Sequence, residues 1–300
     1  MKSTLNWYQA IAECTRQGEP YVLVTILAVA GSTPREPASK MVVTAKSCFD
    51  TIGGGKLEFQ IIEQARQRLA EKQFGQTLAE FTLGSQMGQC CGGRISVLLE
   101  ARPGCDAHLV LFGAGHVAHA LVRILGDLPW RITWVDARAD CFPPVTAEMV
   151  HAHLTQDPVG EAPVLCRDAH ALILTHDHQL DFELCRVLLR TAGVRSIGVI
   201  GSQTKAERFR HRLLDFGHAR SEIDRIRCPL GRRDVPGKQP MEVAVDIAAE
   251  LLRLNTAPAS QAMPQRGMSP QALTTLRHLI PTTADHPPSK PVHDTDRSAQ

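Results

Sequence analysis

Three hundred residues carrying 33 Lys and Arg against 31 Asp and Glu give a net charge of only +2, which argues against a nucleic-acid or membrane-surface protein. With 43% hydrophobic and 21% charged residues, the chain can bury ordinary cores, and its length suits about two domains. There is no run of about 18 apolar residues to span a membrane, and Met1-Lys2-Ser3-Thr4 does not open a signal peptide. A cytoplasmic protein is therefore expected, and its nine cysteines read as reduced thiols and not as a disulfide framework.

In chain order, residues 4–17 show a helical pattern, and Tyr21 to Ala30 is a β-branched apolar run. A short strand follows from Met41 to Ala45, then a helix from Lys56 to about Ala70 and strands over 78–83 and 94–100. These last two strands are joined by a glycine-punctuated loop that contains Cys90-Cys91-Gly92-Gly93. Arg102-Pro103-Gly104 marks the end of this N-terminal α/β domain, residues 1–102. From 107 to 254 strand and helix alternate, the signature of a Rossmann-like parallel sheet. Strands are predicted at His108–Phe112, Ile132–Val135, Ala171–Thr175 and Ser196–Ile200, with helices over 116–126, 179–191 and 203–216. Glu242 to Leu254 is a last amphipathic helix, and the proline-rich tail 255–300 is expected to be disordered apart from a short helix near 270–279.

The phosphate-cradling turn Gly113-Ala114-Gly115 follows an apolar strand and opens a helix, the context that a dinucleotide motif requires. The helix begins at His116, and Asp136 closes the next strand, where an acidic group would meet ribose hydroxyls. Thr175-His176-Asp177-His178 and Gly201-Ser202 end later strands at the carboxyl edge, where open α/β sheets bind ligands. Asp181 reads as a first-turn dipole partner or cap. Lys and Arg gather between Lys205 and Arg233, and this cluster reads as a solvated helix face.

In the first domain, Gly53-Gly54-Gly55 offers unobstructed amides at a helix start, a candidate anion nest. Arg35 suits a phosphate or carboxylate. Cys90 and Cys91 are placed as thiolates or metal ligands. The histidines His176 and His178 could also take a metal.

Together and in this order, these motifs resemble the XdhC family, accessory proteins of bacterial xanthine dehydrogenase maturation. The likeness rests on Gly31-Ser32-Thr33-Pro34-Arg35, Met41, Ile52-Gly53-Gly54-Gly55-Lys56-Leu57-Glu58 and Gln89-Cys90-Cys91-Gly92-Gly93. In the second domain it rests on Phe112 to Ala118, Val135-Asp136-Ala137-Arg138, Thr175 to His178, Ile200-Gly201-Ser202 and Cys228-Pro229-Leu230-Gly231. The family pattern often has a glycine near residue 37, where this chain has Pro37-Ala38.

The resemblance implies a carrier and not a catalyst. Such a protein would hold molybdenum cofactor (molybdopterin) during sulfuration by a cysteine desulfurase and pass it to apo-xanthine dehydrogenase. On this reading the cofactor meets Arg35, Gly53, Gly54, Gly55, Cys90, Cys91, Gly113, Gly115, His116, Asp136, His176, Asp177, Gly201 and Ser202, with Cys90 or Cys91 on the metal. A homodimer is the default for a cytosolic protein. The residues alone leave two other readings open, an NAD(P)-dependent oxidoreductase using the Gly113 turn and a metal-homeostasis or sulfur-carrier protein built on Cys90-Cys91 and His176/His178.

Overall fold

In the computed structural model, which describes residues 5–30, 36–82, 93–231, 237–255 and 269–279, the first unit takes in residues 1–7, 22–102 and 263–300, and its sheet is built from 21–102. Its sheet runs in the order β3-β2-β1-β5-β4, from β1 (Tyr21–Ala30), β2 (Lys40–Thr44), β3 (Cys48–Asp50), β4 (Gly75–Thr82) and β5 (Arg94–Arg102). The pairs β2/β3 and β4/β5 are antiparallel. Every second residue of β1 and β5 turns inward, Val22, Val24 and Ile26 in one and Ile95, Val97 and Leu99 in the other. Helix α2 (Gly55–Ala70) lays Leu57, Ile61, Ala65 and Leu69 on them. A spacing of four keeps these side chains on one helix face, and each buried Leu or Ile stabilises by about 1.5–3 kcal/mol. The three-residue strand β3 is absent from the sequence reading, being too short to show alternation.

Ala38, next to the position near residue 37 where the resemblance leads to an expected glycine, stands at φ +69°. This left-handed region favours glycine, and the backbone is held there by Ala38 N–H donating to the Ile26 carbonyl at 2.8 Å.

The second unit takes residues 8–21 and 103–262. Helix α1 (Trp7–Gln17) lies at its start. The parallel sheet then follows through β6 (Ala107–Phe112), α3 (His116–Leu125), β7 (Trp130–Asp136), β8 (Val150–Leu154), α4 (Pro158–Leu165), β9 (His170–Ile173) and α5 (His178–Arg190). It ends in β10 (Ser196–Val199), α6 (Gln203–Asp215), the single turn α7 (Arg220–Ile223), β11 (Ile226–Arg227) and α8 (Pro240–Asn255).

Strand order is β11-β10-β9-β6-β7-β8, all neighbours parallel. Counting these strands one to six from β6, this is the 3-2-1-4-5-6 order of a Rossmann fold. One face packs Leu109, Leu111, Ile132 and Trp134 under α3 and α8, and the other packs Val110, Phe112 and Val135 under α4 and α5. The order reverses between β6 and β9, which places the switch point beside Gly113. Helix α9 (Pro270–Leu279), which groups with the first unit, forms where the tail was expected to hold a short helix; residues 256–268 and 280–300 lie outside the described residues.

Candidate functional site

A cavity of about 620 Å³ opens at the carboxyl edge of the second unit's sheet, at the switch point. It is lined by Gly113, Gly115, His116, His119, Cys141 and His176, among others. Behind the lining, Trp134 is fully buried and donates its indole N–H to the Gly113 carbonyl at 3.0 Å. His119 meets Trp134 edge-on, ring centroids 4.8 Å apart, and its Nε2 donates to the Cys141 carbonyl at 2.8 Å. Phe142 closes against Trp134 at 5.4 Å. The wall formed by Cys141 and Phe142 is thus held by aromatic packing, the His119 hydrogen bond and the turn bonds of Cys141 N and Phe142 N to the Arg138 and Ala139 carbonyls.

The two glycines of the turn do different work. Gly113 has φ +103°, and a Cβ there would lie 2.6 Å from the Leu174 carbonyl oxygen, so only glycine lets β6 and β9 meet at this height. Gly115 has extended backbone at φ −84°, and a Cβ there would point into open space. It is the N-cap of α3 and supplies no side chain to the helix, whose first turn carries no acidic residue. The first-turn amides, which have no intrahelical acceptor, therefore remain open to an anion from outside.

The other helix starts along this edge are satisfied from within. Asp157 caps α4, accepting from Gly160 N. Asp177 caps α5, accepting from Gln179 N at 2.7 Å and Leu180 N at 3.2 Å. Ser202 caps α6, accepting from Lys205 N at 3.2 Å. Asp177 and Ser202, read as ligand contacts, spend their side chains as caps, and Gly201 packs on the Lys205 side chain.

Asp181 stands in the first turn of α5, as read, but its side chain is committed to an internal ion pair. It is fully buried and accepts Lys205 Nζ at 2.5 Å and Thr175 Oγ1 at 2.6 Å. Lys205, read as part of a solvated basic face, is buried too and also donates to the Ile200 carbonyl at 2.8 Å. This pair ties the loop after β9 to the loop after β10. It fixes Thr175, and with it the cavity wall at His176.

Asp136 is also engaged. Its Oδ2 accepts from Ala114 N at 2.8 Å, and Arg138 holds both oxygens through Nε at 2.9 Å and Nη2 at 3.0 Å. Burial pushes this carboxyl upward, but the Arg138 guanidinium and the amides of Ala114 and Arg138 outweigh it and leave it below its ordinary value.

The first unit's triple glycine is closed from inside. The Glu58 carboxylate accepts from Ile52 N at 3.0 Å, from Gly54 N at 2.9 Å and from the Thr51 hydroxyl. The nest expected at Gly53, Gly54 and Gly55 thus already holds an anion, four residues along its own helix. Arg35, Cys90 and Cys91 lie outside the described residues. The seven described cysteines are free thiols, and no three His, Cys, Asp or Glu side chains converge as a metal site among the described residues.

Sequence reasoning missed His119, Cys141, Phe142 and Pro143. The available signal was position, since the segment after β7 must also lie at the ligand-binding edge.

The family model of the XdhC Rossmann domain matches residues 109–251, and that of the XdhC and CoxI family matches residues 14–81. The chain belongs to the XdhC family. A relative within Escherichia coli (strain K12), the uncharacterized protein YqeB, is 30% identical over 282 residues. The match takes in 91% of this chain but 51% of YqeB, so the chain spans about half the length of that relative. Among solved structures, a xanthine dehydrogenase from Bacillus halodurans is 19% identical and aligns over 87% of this chain and 99% of its own, with a TM-score of 0.44. The RCK domain of GsuK aligns over 82% of this chain and 50% of its own, at 13% identity and a TM-score of 0.30. Among the described residues of this XdhC-family chain, no helix is long and apolar enough to cross a membrane.

Proposed function

We propose that this XdhC-family protein is an accessory factor of xanthine dehydrogenase maturation that holds molybdopterin and delivers it to the apo-enzyme. The observation that carries the reading is the uncapped start of α3 at Gly115, facing a cavity of about 620 Å³ at the switch point. A group with a phosphate and a polar heterocycle fits what is there. The open amides would take the phosphate, while His116, Thr175 and His176 offer polar contacts beside it. Phe142 and Pro143 supply an apolar wall. When bound, the cofactor brings a molybdenum centre and its sulfur ligands, and Cys90 or Cys91 would be the soft ligand from this chain. A cysteine desulfurase as sulfur donor and a homodimer belong to the same proposal.

The Rossmann strand order also favours a second reading, binding of NAD(P). Against it stands Asp136, whose two oxygens are already taken by Arg138 and Ala114 and do not await ribose hydroxyls.

Purification from a host that makes molybdopterin, followed by assay of the fluorescent oxidised pterin, tests the proposal. Wild type should retain pterin. Gly115→Val, whose Cβ enters open space, should lose at least tenfold in retention while its melting temperature stays near wild type. The pair Cys90→Ala/Cys91→Ala should lose molybdenum. Wild-type protein free of pterin that binds NAD(H) or NADP(H) tightly in calorimetry would sink the first reading and establish the second.

A further inference from the structure

Parallel strands covered on both faces are normally apolar on both, yet one face of the second unit breaks that rule near the amino ends of its strands. His108 on β6, Arg131 and Thr133 on β7, and His151 and His153 on β8 share this face. Their registers set His108 beside Arg131 and Thr133 beside His151. Farther along the strands the same face returns to Val110, Phe112 and Val135.

Arg131 is the centre of the patch. Its Nη2 donates to His108 Nδ1 at 2.8 Å, and because a guanidinium only donates, His108 must donate from Nε2 to Thr133 Oγ1, at 3.0 Å. Burial, reinforced by the Arg131 charge, pushes His108 down to about 3, so this ring is neutral and offsets no charge. Arg131 Nη1 donates to the Gln17 carbonyl at the end of α1, at 3.3 Å. Its Nε is buried without a hydrogen-bond partner, and no carboxylate pairs with it among the described residues. A half-buried guanidinium therefore faces a neutral ring and a carbonyl dipole, whereas buried charges are normally paired. The C-terminal end of α1 offers about half a unit of negative charge, which leaves the balance unmet.

A cavity of about 630 Å³ opens over this patch, and no acidic side chain lines it. Arg16 on its rim is tied to Glu13 at 2.6 Å, and His153 to Glu161 at 2.5 Å. His151 donates from Nε2 to the Arg16 carbonyl at 2.8 Å.

We propose that this second cavity binds the phosphate group of a small metabolite, with Arg131 as its fixed charge and donor and the His151 and His153 rings lining the cavity beside it. The site is separate from the one at Gly115 and does not rest on the function proposed above. Charge-assisted hydrogen bonds to phosphate are the stronger kind, and a guanidinium already oriented by His108 loses little freedom in making them.

The full chain is titrated with inorganic phosphate at constant ionic strength, following the imidazole resonances of His151 and His153, assigned with His151→Gln and His153→Gln. Both resonances should move saturably in wild type, and the midpoint should rise at least tenfold in Arg131→Gln. Arg131→Lys, which keeps the charge but not the fork, should give a smaller rise and covers the case in which the glutamine variant does not fold. Resonances that stay still in wild type, or that move with an unchanged midpoint in either arginine variant, overturn the proposal.

Discussion

A single carboxylate shows how a familiar motif can change its use. An acidic residue at the end of the second strand of a Rossmann fold would ordinarily be free for a ribose. In this chain Asp136 instead joins the glycine turn at Ala114 N to Arg138, two residues along. The side chain is 8% exposed and its partner guanidinium 48%, so the ion pair is screened by water on one side only. Replacing Asp136 by Asn keeps an acceptor for Ala114 but removes the charge facing Arg138. The expected cost at pH 7 is about 1 kcal/mol, near the upper end for a partly screened pair. The sign with pH follows from the lowered carboxyl. Its folded value lies below the ordinary 3.8, so its contribution is fully present above pH 3.8 and is lost as pH falls through the folded value. Urea midpoints of wild type and Asp136→Asn should therefore differ at pH 7 and at pH 5 and converge as the pH falls below 3.8. A gap that widens in acid would show that the charge does not stabilise the turn.

At the scale of elements, the sequence is legible where pattern and caps agree and opaque where partners are distant. The strand-turn-helix unit β6–α3 was readable because an apolar run, two glycines and a helical pattern follow one another, and the helix near 270–279 forms where it was expected. Strand β8 and helix α4 were not read. His151 and His153 interrupt the apolar run of β8, and α4 contains Pro158, Gly160 and Pro163. Even so, Asp157 before Pro158 is the cap and first-turn proline of a helix start, a signal that was there to use. Asp181 was beyond reach for another reason. Its partner Lys205 lies 24 residues away on α6, and only the fold brings them together under the Thr175 loop. Removing one member strands the other charge in the interior, so Lys205→Met should destabilise by about 3–5 kcal/mol. The double variant Asp181→Leu/Lys205→Met removes both charges and should recover most of that loss. Denaturant unfolding followed through the buried Trp130 and Trp134 measures both. A double variant no more stable than Lys205→Met would mean that the packing there, and not the stranded charge, sets the cost.

At the scale of the whole molecule, chain order and spatial grouping part company. Helix α1 from Tyr8 onward comes early in sequence but belongs with the parallel-sheet unit, while residues 22–102 belong to the first unit. Its amphipathic pattern was visible in the sequence; which sheet it served was not, because its anchors are backbone groups and residues more than 85 positions away. Ala10 and Cys14 are buried, and burial pushes the Cys14 thiol up to about 11. The Arg16 and Gln17 carbonyls at the end of the helix accept from His151 and Arg131. The joint is Gly18, at φ +63°, whose carbonyl accepts Cys105 N–H at 3.0 Å. A Cβ at Gly18 would lie 2.6 Å from Cys105 Sγ and 2.7 Å from its Cβ. Alanine is thus opposed twice, by the left-handed backbone and by a neighbour that cannot swing away, and Gly18→Ala should cost about 2–3 kcal/mol. If α1 is integral to the second unit, that loss appears in the unfolding reported by Trp130 and Trp134. Pairing Gly18→Ala with Cys105→Gly removes the clash but keeps the positive φ, so it should restore part of the loss, and a pair that restored none would place the whole cost in the backbone.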